Sequence, residues 1–147
     1  MIEVVAFLSR RDLIWKKDKM EENTKNITHA SLLEKIEKRE AIVGIIGLGY
    51  VGLPLAIHFG QQGFKVLGFD VDERKIDMLL KGESYIKHIQ MEQINKKIKS
   101  GIIDVTSDLS RLSEPDCILI CVPTPPTDKM EPDLSYLQDT TALISIN

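Results

Sequence analysis

AIVGIIGLGYVGLPL, residues 41–55, decides how the rest of the chain is read. Its centre, Gly47 to Gly52, is a G-x-G-x-x-G. Glycine-rich hexapeptides of this kind arise by chance in many chains. The pattern gains meaning from a buried strand before it, a helix after it and an acid at the end of the next strand. All three are present. Ile42 to Ile46 is a short apolar run, β-branched apart from Gly44, of the kind a parallel strand buried on both faces needs. Tyr50 to Gln62 reads as a helix, with Gly63 as its C-terminal stop. Lys65 to Phe69 reads as a second strand, and Asp70 ends it.

The chemistry expected of this arrangement is dinucleotide binding. Gly47 permits the tight turn out of the strand. Gly49, without a Cβ, lets a pyrophosphate approach the backbone. Gly52 lets the helix pack closely on the sheet, so that the helix N-terminus faces the pyrophosphate with its free N–H groups and partial positive charge. Asp70 would accept hydrogen bonds from an adenosine ribose and repel a 2′-phosphate, which favours NAD over NADP. The competing reading is a glycine-rich strand–helix corner that binds nothing.

Bulk properties are those of an ordinary globular chain. Its 147 residues fit one domain, with 43% hydrophobic and 28% charged residues and a net charge of −3. No long basic block points to nucleic acid, no apolar stretch approaches a membrane span, and no secretory signal is recognisable, so a cytoplasmic location is expected. Cys117 and Cys121 fall in one apolar strand, CILICV. Four residues of strand separate them by about 13 Å, too far for a disulfide, and the spacing suits no metal site. Two small buried residues in a reducing compartment is the preferred reading.

Residues 1–30 show no clear period and are expected to form a poorly ordered extension. Met20 raises the further expectation that translation normally starts there; Trp15, in the same segment, has no assigned role. Ser31 to Arg39 is expected to be a short amphipathic helix, N-capped by Ser31 with Glu34 completing a capping box. Its stripe of Leu32, Leu33 and Ile36 is expected to pack beside the first strand. After Asp70, a helix from Asp72 to Lys81 closes at Gly82, with Ile76, Leu79 and Leu80 facing inward. Lys75 either reaches the adenosine side of a dinucleotide or is a solvated helix lysine. GESYIKHI (82–89) leads to a helix from Met91 to Lys99, closed by Gly101. His88 has no sequence neighbour that would make it catalytic and reads as a loop histidine.

Ile102 to Thr106 is a third strand, followed by a short helix ending at Ser113. Asp116 to Val122 is the fourth strand. It runs into Pro123-Thr124-Pro125-Pro126, a stiff loop at the strand end where ligands of such sheets sit. Thr124 is the candidate contact there, unless the loop is only a rigid turn. Leu134 to Ile146 is a last helix with Asp133 as N-cap. The fold expected is α/β: a Rossmann-type, doubly wound parallel sheet, incomplete, with about four strands in the order 3-2-1-4 and helices on both faces. Residues 31–147 form this NAD-binding domain. Its fourth strand is expected to present a bare apolar edge, making the chain marginally stable or self-associating.

IGLGYVGLPLA (46–56), GFDVD (68–72), GESYIKHI (82–89), TSDLS (106–110), CVPTP (121–125) and EPDLSY (131–136) occur in that order. From about Leu32 onward the chain resembles the N-terminal NAD-binding domain of the UDP-glucose/GDP-mannose dehydrogenase family. SYIKHI and the spacing to EPDLSY look most like the branch that oxidises UDP-N-acetylhexosamines, such as UDP-N-acetylglucosamine 6-dehydrogenase. Pro126 stands where many members have leucine. The resemblance implies a two-step oxidation of the sugar C6 alcohol to a uronic acid, each step passing a hydride to NAD, with a cysteine thiolate trapping the aldehyde in between. It implies that Tyr50 and Val51 contact the pyrophosphate through their backbone, that Asp70 and Lys75 hold the adenosine ribose, and that Thr124 lies near the nicotinamide half.

The family continues into a sugar-binding domain that carries the catalytic cysteine, lysine and asparagine. No catalytic residue and no metal ligand is therefore expected here. Neither Cys117 nor Cys121 matches the family nucleophile, and the chain alone is expected to be inactive. The full-length enzyme is expected to bind a UDP-sugar and to be a homo-oligomer, with no nucleic-acid or membrane partner. Two alternatives stay open: a non-catalytic NAD-binding regulatory module, which the CVPTP and EPDLSY motifs disfavour, and an inactive remnant of a truncated gene.

Overall fold

The computed structural model describes residues 5–8, 22–87 and 91–146. Trp15, Met20 and His88 lie outside these residues. In chain order the elements are β1 (Val5–Leu8), α1 (Glu22–Glu37), β2 (Ile42–Ile46), α2 (Gly52–Gln61), β3 (Lys65–Phe69), α3 (Glu73–Lys81), α4 (Met91–Lys99), β4 (Ile103–Thr106), a 3-10 helix (Leu109–Ser113), β5 (Cys117–Ile120) and α5 (Ser135–Ile146). The sheet order is β1-β5-β2-β3-β4. Strands β4-β3-β2-β5 are parallel and reproduce the expected 3-2-1-4 order.

The two sheet faces bury different residues because side chains alternate along each strand. On β3, Val66 joins a cluster with Leu53 and Ala56 of α2 and Ile76 and Leu79 of α3. Its neighbours Leu67 and Phe69 point the other way, into a cluster with Leu112 of the 3-10 helix and Ile144 of α5. Helices therefore cover both faces. Gly68 shares the face of Val66, and a Cβ there would stand 2.8 Å from Leu48 Cδ2. The glycine makes room for Leu48, which is fully buried beneath the loop it belongs to.

Helix ends follow the local chemistry. Asp72, in extended conformation, accepts from the Arg74 N–H and starts α3; Gly82, at φ 83°, ends it in the left-handed region. Asp133 Oδ1 accepts from Ser135 N–H at 2.9 Å and starts α5. Leu80 is a correction: it is 56% exposed, and only Ile76 and Leu79 of the expected trio are buried. Ile76, Leu79 and Leu80 are i, i+3 and i+4, a stripe about 100° wide, and Leu80 stands at its solvent-side edge.

The N-terminal part differs from expectation in three ways. First, α1 runs from Glu22, so Ser31 lies inside a helix and caps nothing. Second, the Leu32–Leu33–Ile36 stripe is not buried: Leu33 is 57% and Ile36 38% exposed. The helix is held instead by Lys35 Nζ, 2.6 Å from Asp116 Oδ1, while Asp116 Oδ2 accepts from the Ile42 N–H. Arg39 also stacks over the Phe64 ring, 4.7 Å from its centroid. Third, β5 does not present a bare edge. Val5–Leu8 pairs antiparallel along it, Val5 opposite Ile120 and Leu8 opposite Cys117, within the segment expected to be a poorly ordered extension. Edge strands present a row of N–H and C=O groups that β1 can satisfy, a pairing that side-chain periodicity in four residues does not announce.

Candidate dinucleotide site

Three parallel strands deliver their C-terminal ends to one place. The ladder continues one residue past each strand: Gly47 N–H donates to Phe69 O, Cys121 N–H to Ile46 O, and Asp70 N–H to Thr106 O. Gly47, Asp70 and Cys121 are thereby set side by side at the mouth of a cleft of about 420 Å³. Its floor is Ile46, Phe69 and the glycine loop; its far wall is Tyr136, Thr140 and Leu143, one face of α5. Val71, Leu109 and Leu112 close the side next to Asp70.

The three motif glycines have three different reasons. Gly47 sits at φ 92°, and a Cβ there would lie 2.6 Å from Cys121 O. Gly52 packs so tightly that a Cβ would lie 1.8 Å from Gly47 O and 3.2 Å from Ile45 Cγ2. Gly49 is the opposite case: a Cβ would meet nothing within 4 Å, and the residue lines the cleft. The protein leaves open the space that a methyl group would fill. At the start of α2, no side chain caps the helix and no acid stands in its first turn. Uncapped N–H groups at a helix N-terminus facing an open cleft suit an anion. Tyr50, 77% exposed, and Val51 line the same cleft.

Asp70 is 6% exposed and engaged by three donors, which leaves one of its about four acceptor sites open, on Oδ1. Its Oδ2 accepts from Leu48 N–H and from Lys75 Nζ, both at 2.9 Å, and its Oδ1 accepts from Asp72 N–H at 3.0 Å. Lys75 is therefore not a solvated helix lysine; it lines the cleft, paired with Asp70. Two residues on, Arg74 binds Asp72 through both carboxylate oxygens. The Arg74 guanidinium holds the Asp72 carboxyl below the usual carboxylate range.

Of the residues singled out from sequence, Gly47, Gly49, Tyr50, Val51, Asp70 and Lys75 line the cleft. Gly52 supports it from below. Thr124 is buried, at 3% exposure, in the loop just past Cys121, Val122 and Pro123, which do line the cleft. That loop is tied by hydrogen bonds of its own, Thr127 N–H to Glu131 O and Asp133 N–H to Pro125 O. Cys121 is buried, and burial pushes its thiol up; Cys117 is shifted the same way, by burial and then by Asp116. Neither is in a disulfide. Tyr85 was not legible from the sequence as part of this site. Its hydroxyl donates to Leu48 O in the middle of the glycine loop, and Lys75 Nζ stands 5.9 Å from its ring centroid. The signal that could have found it is its place in GESYIKHI (82–89), a run that carries the family resemblance but no assigned site role.

The family model of the NAD-binding domain of UDP-glucose/GDP-mannose dehydrogenases matches residues 41–146. The chain belongs to this family. Its NAD-binding domain is the part present, and the cleft fits the cofactor through the open side of Gly49 and the uncapped α2. Among curated relatives, UDP-N-acetyl-D-mannosamine dehydrogenase of Pyrococcus horikoshii is 35% identical over 100 residues, 65% of this chain and 23% of that protein. UDP-N-acetyl-D-glucosamine 6-dehydrogenase of Salmonella typhi is 36% identical over 99 residues, 67% of this chain and 22% of that protein. Among solved structures, a UDP-glucose dehydrogenase from Pyrobaculum islandicum superposes with a TM-score of 0.67 at 27% identity, over 71% of this chain and 24% of that one. The chain thus spans about a quarter of the length of the relatives it matches.

Proposed function

We propose that this domain supplies the NAD site for a two-step oxidation of the C6 alcohol of a UDP-sugar to the uronate, with a UDP-N-acetylhexosamine as the sugar. The Pyrococcus UDP-N-acetyl-D-mannosamine dehydrogenase and the Salmonella UDP-N-acetyl-D-glucosamine 6-dehydrogenase support the sugar class. The observation that carries the cofactor assignment is the pairing of an open Gly49 with a buried carboxylate, Asp70, at the end of the neighbouring strand. In this reading Gly47, Gly49, Tyr50, Val51 and Gly52 form the pyrophosphate cradle. Asp70 and Lys75 take the adenosine ribose, and Thr124 lies near the nicotinamide half. Bound NAD would supply the hydride acceptor.

The chain's own residues bind, orient and exclude water. Asp70 arrives already oriented by three donors, so little order remains to be imposed when a ribose binds. Its negative charge discriminates against a 2′-phosphate. Cys121 is not a nucleophile in this scheme, because a thiol raised by burial holds little thiolate. The domain alone holds cofactor and leaves the sugar unchanged. It acts in the cytoplasm, within a homo-oligomeric enzyme, with neither nucleic acid nor membrane as partner. Among the described residues no helix is long and apolar enough to cross a membrane.

Isothermal titration of the 147-residue chain tests the assignment. NAD is expected to bind at least tenfold more tightly than NADP, and addition of UDP-N-acetylhexosamine with NAD is expected to yield no NADH. Equal affinity for the two dinucleotides, or no binding by a folded sample, overturns the cradle assignment.

A further inference from the structure

The carbonyl of Leu48 is held from outside the glycine loop, by Tyr85 of GESYIKHI (82–89). Leu48 is flanked by Gly47 and Gly49, and both of its backbone polar groups are held by side chains. Its N–H donates to Asp70 Oδ2, and its carbonyl accepts from the Tyr85 hydroxyl. Lys75 closes the circuit, donating to Asp70 Oδ2 on one side and standing over the Tyr85 ring on the other. Four residues, each from a different segment, form one ring: the glycine loop, the strand-end acid, the α3 lysine and the tyrosine of the loop after α3. We propose that Tyr85 is a positioning residue for the dinucleotide, aiming the Gly49 amide at the pyrophosphate by holding the Leu48 carbonyl.

The argument is one of peptide geometry. A trans peptide is planar, with its C=O and N–H pointing in opposite directions. The described residues contain no cis peptide. Fixing the Leu48 carbonyl on Tyr85 therefore turns the Gly49 N–H away from Tyr85, and it is Gly49, not Tyr85, that lines the cleft. Between two glycines the backbone is otherwise the softest in the loop. A donor on the carbonyl also polarises the same peptide and strengthens its N–H as a donor. Tyr85 is suited to remain a donor, because burial, and then the charges of Asp70 and Asp72, push its phenol well above the ordinary range. Ser84 and Ile86 brace the tyrosine from both sides: Ser84 Oγ donates to Ile86 O and accepts from Ile86 N–H.

This inference rests on the cofactor reading above, and the test separates the two. The full 147-residue chain and its Tyr85→Phe variant are titrated with ADP-ribose, which carries the pyrophosphate, and with adenosine, which does not. The ring and its contact with Lys75 are kept; only the hydroxyl goes. ADP-ribose is expected to bind five- to tenfold more weakly to Tyr85→Phe, with adenosine changed less than twofold. Equal weakening of both ligands assigns Tyr85 a merely structural role and overturns the proposal, as does unchanged ADP-ribose affinity. Failure of the wild-type chain to bind ADP-ribose overturns the cofactor reading with it. Should Tyr85→Phe not fold, the wild type supplies the second measurement. ADP-ribose, but not adenosine, is expected to shift the Gly49 amide nitrogen and Leu48 carbonyl carbon resonances together; unshifted signals at saturation overturn the proposal.

Discussion

Adding one methyl group at Gly49 or at Gly52 is expected to have opposite consequences, although the two lie three residues apart in one motif. At Gly52 the new Cβ would fall 1.8 Å from Gly47 O, where real Cβ atoms do not approach within 3.0 Å. The backbone must yield by more than about 1 Å. Gly47 has little freedom to do so: it is held at φ 92°, its N–H is bonded to Phe69 O at 2.7 Å, and Cys121 O blocks its other side. Overpacking of a well-packed site costs ~1–3 kcal/mol, and a clash with fixed backbone belongs at the upper end. A loss of ~3 kcal/mol lowers Tm by about 10 °C in a domain of this size. At Gly49 the Cβ meets no protein atom, and its φ is outside the positive region. Gly49→Ala is therefore expected to melt with the wild type, or up to a few degrees higher, because alanine restricts the unfolded chain by ~0.4–1 kcal/mol. The methyl group instead occupies the approach of the pyrophosphate. Losing charge-assisted contacts of ~1.5–3 kcal/mol weakens NAD about tenfold to a hundredfold. Thermal melts by circular dichroism and NAD titration of both variants check this. A Gly49→Ala variant that binds NAD like the wild type, or a Gly52→Ala variant that melts like it, refutes the division of labour among the glycines.

Asp70→Ser is expected to remove the ribose acceptor and release Lys75, lowering NAD affinity about tenfold or more while raising the NADP-to-NAD affinity ratio by a similar factor; parallel titrations read both, and an unchanged ratio counts against Asp70 as the discriminating group. The Asp133 carboxyl is depressed below its ordinary 3.8, first by the Ser135 backbone N–H and then by the Ser135 side chain. A depressed acid stabilises the fold above its unfolded pKa and loses that contribution as pH falls through its folded pKa. Asp133→Ala is thus expected to lower Tm at pH 7 and to match the wild type once pH is well under 3.8, checked by melts across pH 2–7. Cys121 lines the cleft with a thiol raised by burial, so its alkylation at pH 8 is expected to be slow and to slow further with saturating NAD. Mass-resolved labelling with and without NAD reports this; equal rates would place the cofactor elsewhere.

Amino-acid order alone determined the strand–loop–helix frame around the glycines. Ile42 to Ile46 and Lys65 to Phe69 were readable to the residue as β2 and β3, because each is a short β-branched or apolar run bounded by glycine or an acid. Asp72, Gly82 and Asp133 announced helix ends because capping is chemistry between near neighbours. The parallel order followed from the right-handed crossover, which leaves few alternatives. Tertiary structure decided whatever depends on contacts distant in sequence. Lys35 meets Asp116 across 81 positions, which is why α1 is anchored by an ion pair and not by its apolar stripe. Val5–Leu8 meets Cys117–Ile120 across more than a hundred, and covers an edge that sequence left bare. Tyr85 reaches Leu48 across 37 positions, so a residue of the GESYIKHI run, far from the glycines in sequence, completes the glycine loop. Local pattern specifies where the chain turns and which face is apolar, since those are energies of neighbours. Which polar groups end up sharing one carboxylate or one carbonyl is settled only when the sheet brings their segments together.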